Sequence, residues 1–135
     1  MPRQARNMSC GSLFPSKAFP IEQDEHLLAV LRYVERNPLR ANLCQAAEDW
    51  RYESAWRRVH GDAECQTLLA AWPVPRPRQW RYFVNKPQTE VEVEAIRHSI
   101  RKGNPYGSDR WISQAAARLQ LRHTLRPRGR PKLKQ

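Results

Sequence analysis

Tyr33 stands one turn before Asn37 and is followed by Arg36 and Arg40, in the run Arg32-Tyr33-Val34-Glu35-Arg36-Asn37-Pro38-Leu39-Arg40. A phenol beside guanidiniums is what attack on a phosphate requires, because the cations stabilise a phenolate and the charge that develops on the phosphoryl oxygens. The same residues also suit a tyrosine packed against a neighbouring element, and spacing alone leaves both readings open. A second group lies near the chain end, Arg126-Pro127-Arg128-Gly129-Arg130-Pro131-Lys132. Arg-Gly-Arg-Pro is the core of an AT-hook. Glycine lets the backbone sit deep in a narrow minor groove, proline keeps the chain extended, and the arginines follow the groove floor, where A·T tracts concentrate negative potential. The alternative is a basic tail with only phosphate attraction.

Elements must position these groups. Asp24 is a plausible N-cap, followed by acids and then by Leu27, Leu28, Leu31 and Val34 at helical spacing, which predicts a helix over "DEHLLAVLRYVERNP". Asn37-Pro38 stops or kinks it, because proline pushes the residue before it out of the α region. With 100° per residue, the apolar residues centre on one direction and Tyr33 falls about 130° away from it, on a face shared with Arg36, Asn37 and Arg40. A second helical piece is expected through "RANLCQAAED" and another over residues 64–72. Trp50, Tyr52 and Trp56 are expected to pack over the first helix, and "KAFPI" to form a short edge strand.

Pro73, Pro75 and Pro77 favour extended geometry and mark residues 73–88 as a linker between domains. Beyond it, Thr89 and Glu92 match a capping box, Val93, Ile96 and Ile100 form a face, and Gly103 followed by Asn104-Pro105 ends the helix. Ser108 then opens a helix with Trp111, Ile112, Ala115, Ala116 and Leu119 as its buried stripe. This pair over 89–121 is either helix-turn-helix-like or an ordinary helix pair. Residues 1–16 carry no periodicity and are expected to be disordered; residues 122–135 form the basic tail.

The 135 residues carry 24 Lys and Arg against 13 Asp and Glu, a net charge of +11. The excess is uneven: residues 61–135 hold fifteen basic and six acidic side chains. A basic surplus of this size seeks anions, with nucleic acid the first class. No apolar run approaches the ~18 residues that span a bilayer. The opening residues lack the apolar core of a secretion signal. Three cysteines without a CxxC pair argue against a disulfide framework or a cysteine zinc site, and a reducing cytoplasm, with the protein on the nucleoid, is the expected location.

"FPIEQDEHLLAVLRYVERNPLRANL", "AEDWRYESAW", "YGSDRW" and "TLRPRGRPK" resemble the C-terminal half of REP-associated tyrosine transposases, in the single-tyrosine HUH superfamily. The resemblance covers roughly residues 17–132 and is most specific at Tyr33 to Pro38. It implies a mainly α chain: residues 17–72 a remnant of an α/β, ferredoxin-like catalytic domain, then a small helical DNA-binding region and the tail. It implies palindromic repeat or hairpin DNA as partner, no membrane, and a homodimer or a complex with a full-length transposase. Tyr33 would be the nucleophile. A divalent metal, Mg²⁺ or Mn²⁺, would be held by a His-hydrophobic-His pair, with Asn37 at the position of a third ligand. The histidines here are His26, His60, His98 and His123, with no His-x-His. The expectation is therefore a truncated member that binds DNA through Arg36, Arg40, Arg126, Arg128, Gly129, Arg130, Pro131 and Lys132, and neither binds the metal nor cleaves alone. Two alternatives remain: a subunit supplying Tyr33 in trans to a shared active site, and a non-functional pseudogene product.

Overall fold

A computed structural model describes residues 18–127 and Gly129. The expected disordered segment 1–16 lies outside these residues, as do Arg128, Arg130, Pro131 and Lys132 of the tail. The architecture is mainly helical: α1 (Glu25–Glu35), α2 (Asn37–Arg40), α3 (Ser54–His60), α4 (Ala63–Thr67), α5 (Trp80–Asn85), α6 (Glu90–Lys102) and α7 (Asp109–Arg118), with 3₁₀ turns at Ala47–Asp49 and Arg122–Leu125. Among the described residues no sheet forms. The expected edge strand is reduced to one parallel bridge between Ile21 and Tyr106, in which the Tyr106 amide donates to Pro20 O at 2.9 Å and the Glu22 amide to Tyr106 O at 3.0 Å.

The first helix starts where its cap predicts. The Asp24 carboxylate accepts from the His26 amide at 2.8 Å, satisfying a donor that has no partner within the helix. It ends at Glu35, and α2 restarts with Pro38 in its first turn. The face of α1 that meets the core differs from the expected one. Leu28 and Leu31 pack on the cluster of Ala47, Trp80 and Val84, Glu35 is buried beside them, and Val34 stays 44 % exposed. The inward face thus runs from Val30, which is also buried, round past Leu31 to Glu35, because a buried carboxylate with three donors takes the place of an apolar side chain.

Those donors are Ser54 Oγ, an Arg58 guanidinium nitrogen and Trp80 Nε1. The aromatic side chains of the core are accordingly Trp80 and, edge-on to it at 4.9 Å between centroids, Trp72. Tyr52 is 76 % exposed rather than packed on α1. The helix expected through residues 40–49 does not form. Asn42 adopts a left-handed φ of 55°, which asparagine tolerates better than most residues, and only the turn at Ala47–Asp49 is helical. The helix expected over 64–72 is confined to α4.

Within the 73–88 segment expected as a linker, α5 forms, and its Trp80 and Val84 are buried. Burial of the indole outweighs the extended preference of the prolines before it. Two guanidiniums of α1 close the end of α5: Arg36 donates to Val84 O at 2.5 Å, and Arg32 to Lys86 O and Pro87 O. Cations at a helix C-terminus satisfy carbonyls that lack partners and complement the helix dipole.

The caps of α6 follow the sequence. Thr89 Oγ1 accepts from the Glu92 amide at 3.2 Å, and Gly103 takes φ 71° at the other end. Val93, Ile96 and Ser99 are buried. Ser108 flanks α7 with extended backbone but makes no side-chain cap; its amide donates to Glu22 Oε2 at 2.7 Å. Gly107 is required at this crossing, since a Cβ there would lie 2.7 Å from both that carboxylate oxygen and the Trp111 ring. In α7, Ala115 and Ala116 are buried, while Leu119, past the helix end, is 46 % exposed. Helix α6 packs chiefly on α1, and α7 chiefly on the Arg122–Leu125 turn.

Candidate nucleic-acid interface

Tyr33 lies on the side of α1 turned away from the Ala47–Trp80–Val84 core. The kink at Pro38 swings Arg40 back over it, and the guanidinium carbon sits 3.9 Å from the ring centroid. Arg40 also donates to the Tyr33 carbonyl and to Asn37 Oδ1. Three of the four residues singled out on this face, Tyr33, Asn37 and Arg40, are therefore brought together. The fourth, Arg36, is turned to the end of α5.

The electrostatics are those of crowded cations. Burial lowers the Arg40 pKa, Tyr33 opposes that shift, and Arg97 of α6 reinforces it. Burial also lowers that of Arg36, and Arg32 and Arg40 push it in the same direction. One Nη of Arg40 is buried with no hydrogen-bond partner. A strip of guanidiniums that repel one another is a place where an incoming anion is favourable.

Arg97 was not singled out from the sequence, and α6 extends its influence. One and a half turns on, roughly 7 Å along the axis, Lys102 Nζ donates to Arg126 O at 2.9 Å. The exposed Arg126 and Pro127, where the group of the tail around Arg-Gly-Arg-Pro begins, are thereby held at the end of α6. That Arg97, Arg101 and Lys102 fall in the C-terminal half of α6, after three glutamates, is visible in the sequence; the influence of Arg97 on Arg40 and the bond from Lys102 to Arg126 are not. At Gly129 nothing lies within 4 Å of the position a Cβ would take, so packing does not demand glycine there.

A divalent cation does not fit beside Tyr33. Asn37 Oδ1, the oxygen that the resemblance gives to a metal, accepts from a guanidinium, and a second cation at that point would meet like charge. Among the described residues, the ligand atoms close enough to share an ion belong to Glu22, Asp24 and His26. They sit at the other end of α1, roughly 10 Å along the axis from Tyr33. Each carboxylate there already has structural work, Asp24 as a cap and Glu22 on the Ser108 amide.

Compared with protein-family models, with curated proteins and with solved structures, the chain gives no match. Among the described residues no helix is long and apolar enough to cross a membrane, and Cys44 and Cys65 are free thiols.

Proposed function

We propose that the chain is a DNA-binding protein of the REP-associated tyrosine transposase type, which attaches to repeat DNA and does not cut it unaided. The observation that carries this reading is the course of α6. Its Arg97 adds charge to the field at Arg40 of the Tyr33 cluster, and its last residue, Lys102, holds the backbone of Arg126, where the group around Arg-Gly-Arg-Pro begins. The two groups that the residue types point to thus both adjoin this helix, with the net charge of +11 behind them. A phosphate backbone would meet Arg40 on α2 and Arg97 on α6, and the tail, whose start Lys102 holds at Arg126 O, would follow into a groove.

On this reading residues 17–72 correspond to the end of an α/β catalytic domain that carries the tyrosine helix, and α6 and α7 to the region that binds DNA. Tyr33 keeps the nucleophile's place, with a guanidinium on its ring and no cation site beside it. The absence of a His-x-His and the engagement of Asn37 by Arg40 support attachment over cleavage.

Two assays on the same hairpin test this. In gel shifts, a palindromic repeat hairpin should bind with a steep salt dependence, and no binding at low salt would sink the reading. In a nicking assay with Mg²⁺ or Mn²⁺, the chain alone should leave the strand intact. A covalent DNA adduct that disappears in Tyr33→Phe would overturn the non-cleaving part.

A further inference from the structure

Behind α1, on the side away from Tyr33, a cleft of about 370 Å³ opens between α3 and the segment that leads into α5. That volume lies in the range of small-ligand pockets. Glu35, which faces it, is two residues on from Tyr33 and about 200° around the helix axis. The cleft is therefore separate from the tyrosine face.

Its floor is apolar, made by Ala47, Ala55 and Val84, with Trp80 at one wall. Two carboxylates reach it from the core, Glu35 and Glu48, which are 2 % and 6 % exposed. Its rim is cationic, formed by Arg58, Arg76, Arg78 and Arg81. Arg58 and Arg81 each meet a carboxylate through one nitrogen, leaving the rest of each fork open. Arg76 and Arg78 are exposed and have no carboxylate or hydrogen-bond partner among the described residues. Arg58 and Arg76 both lie over the Trp72 ring, at 4.9 and 5.9 Å from its centroid.

The chemistry of such a cleft has two ends. Four guanidiniums against two carboxylates favour a phosphate at the mouth. Ionised carboxylates accept hydrogen bonds and do not donate, so the inner end suits N–H groups. Between them lies the apolar floor, against which a ring can pack. We propose that this cleft binds a nucleotide whose base carries an exocyclic amino group. The phosphate lies on Arg76 and Arg78, and the base edge donates to Glu48, whose two oxygens each accept one bond and keep a second acceptor site, whereas Glu35 is taken by Ser54, Arg58 and Trp80. Carboxylates pair in this way with the cytosine amino group. Inorganic phosphate would use the rim and leave the floor uncovered, and thymine would set a carbonyl oxygen against a carboxylate.

The ligand can be a free nucleotide or one residue of a single strand, and the test separates these. The full chain is titrated with dCMP, dTMP and inorganic phosphate at fixed ionic strength, with tryptophan fluorescence as the readout because Trp80 lines the cleft. We expect dCMP to bind about tenfold or more tighter than dTMP, the discrimination of one good base contact. The variant Arg76→Ala/Arg78→Ala, at two exposed positions, should weaken dCMP about tenfold with an unchanged melting curve. Displacement of dCMP by an oligo-dC strand identifies the single strand as source; retention of dCMP against that competitor identifies the free nucleotide. The proposal fails if dCMP binds no better than phosphate, or if the double variant binds dCMP as the unchanged chain does. Hairpin binding by the tail is measured separately, so the failure of either reading leaves the other standing.

Discussion

Trp80 Nε1 donates to Glu35 Oε2 at 2.8 Å, across 45 residues of chain. The carboxylate also accepts from Ser54 and Arg58, so one buried anion ties α1, α3 and α5 together. Removing it would leave an indole N–H, a hydroxyl and a guanidinium facing each other without an acceptor. Breaking a buried charged pair from one side costs about 3–5 kcal/mol. Glu35→Ala should fall in that range in urea unfolding followed by tryptophan fluorescence. Glu35→Gln, which keeps one acceptor oxygen, should cost less. A loss for Glu35→Ala near zero would mean that the three elements hold without it.

Gly103 should resist substitution for a different reason. Its φ of 71° lies where a Cβ crowds the backbone, while its nearest neighbour at 3.5 Å, Ala18 O, leaves room for a methyl group. The penalty is therefore conformational, about 1 kcal/mol for Gly103→Ala. Thr89→Ala at the opposite end removes the acceptor for the Glu92 amide and should cost a similar amount, roughly 1 kcal/mol. Thermal melts of both variants check this, and Gly103→Asn, whose side chain tolerates the left-handed region, should recover part of the loss.

How far these features were legible depends on how far apart the partners lie. The limits of α6 follow from Thr89, Gly103 and Pro105, all within a few residues of what they cap. The start of α1 follows from Asp24 in the same way, and the Tyr33–Asn37–Arg40 grouping from spacing along a kinked helix. The core face of α1 was misplaced because Glu35 counts as polar by type, although it lies beside Leu31 on the wheel and its three donors come from residues 54, 58 and 80. Helix α5 was hidden among prolines because tertiary burial of Trp80 and capping by Arg32 and Arg36, some fifty residues earlier, stabilise it. Arg97 carries no local sign of its position near Arg40.

Acid should weaken the fold through Glu48. Burial alone would raise its pKa, but the Asn85 amide, a backbone hydrogen bond and Arg81 outweigh burial and hold it below the ordinary 4.5. The folded state thus prefers the ionised carboxylate. Its contribution is complete above pH 4.5 and is lost as the pH falls from there through the lower folded value. Asp24, likewise held low by His26 against a burial effect, acts in the same sense. Glu53 acts in the opposite one, since burial and the charge of Glu35 raise its pKa and protonation relieves that cost. Melting temperatures between pH 7 and pH 3.5 should fall for the unchanged chain. The fall should be shallower in Glu48→Gln, with Asp24 supplying the remainder, and parallel curves would remove Glu48 from this role.

The tail offers the sharpest separation of stability from binding. Nothing lies within 4 Å of a Cβ at Gly129, so Gly129→Leu should leave the melting curve unchanged. If the tail enters a minor groove, the added side chain must meet the groove wall, and preference for A·T over G·C hairpins should fall while general affinity remains. Arg128→Ala/Arg130→Ala should do more. Each phosphate charge that a bound cation neutralises contributes about 0.9 to the slope of log affinity against log salt, so losing two cations from the groove should flatten that slope by up to about 2 and weaken binding at moderate salt about tenfold or more. Arg97→Ala, on the helix that leads to the tail, should reduce the slope by about 1 and leave the A·T preference intact, because it meets backbone and not base edges. Equal loss of A·T preference in Arg97→Ala and Gly129→Leu would show that the preference arises along α6 and not in the tail.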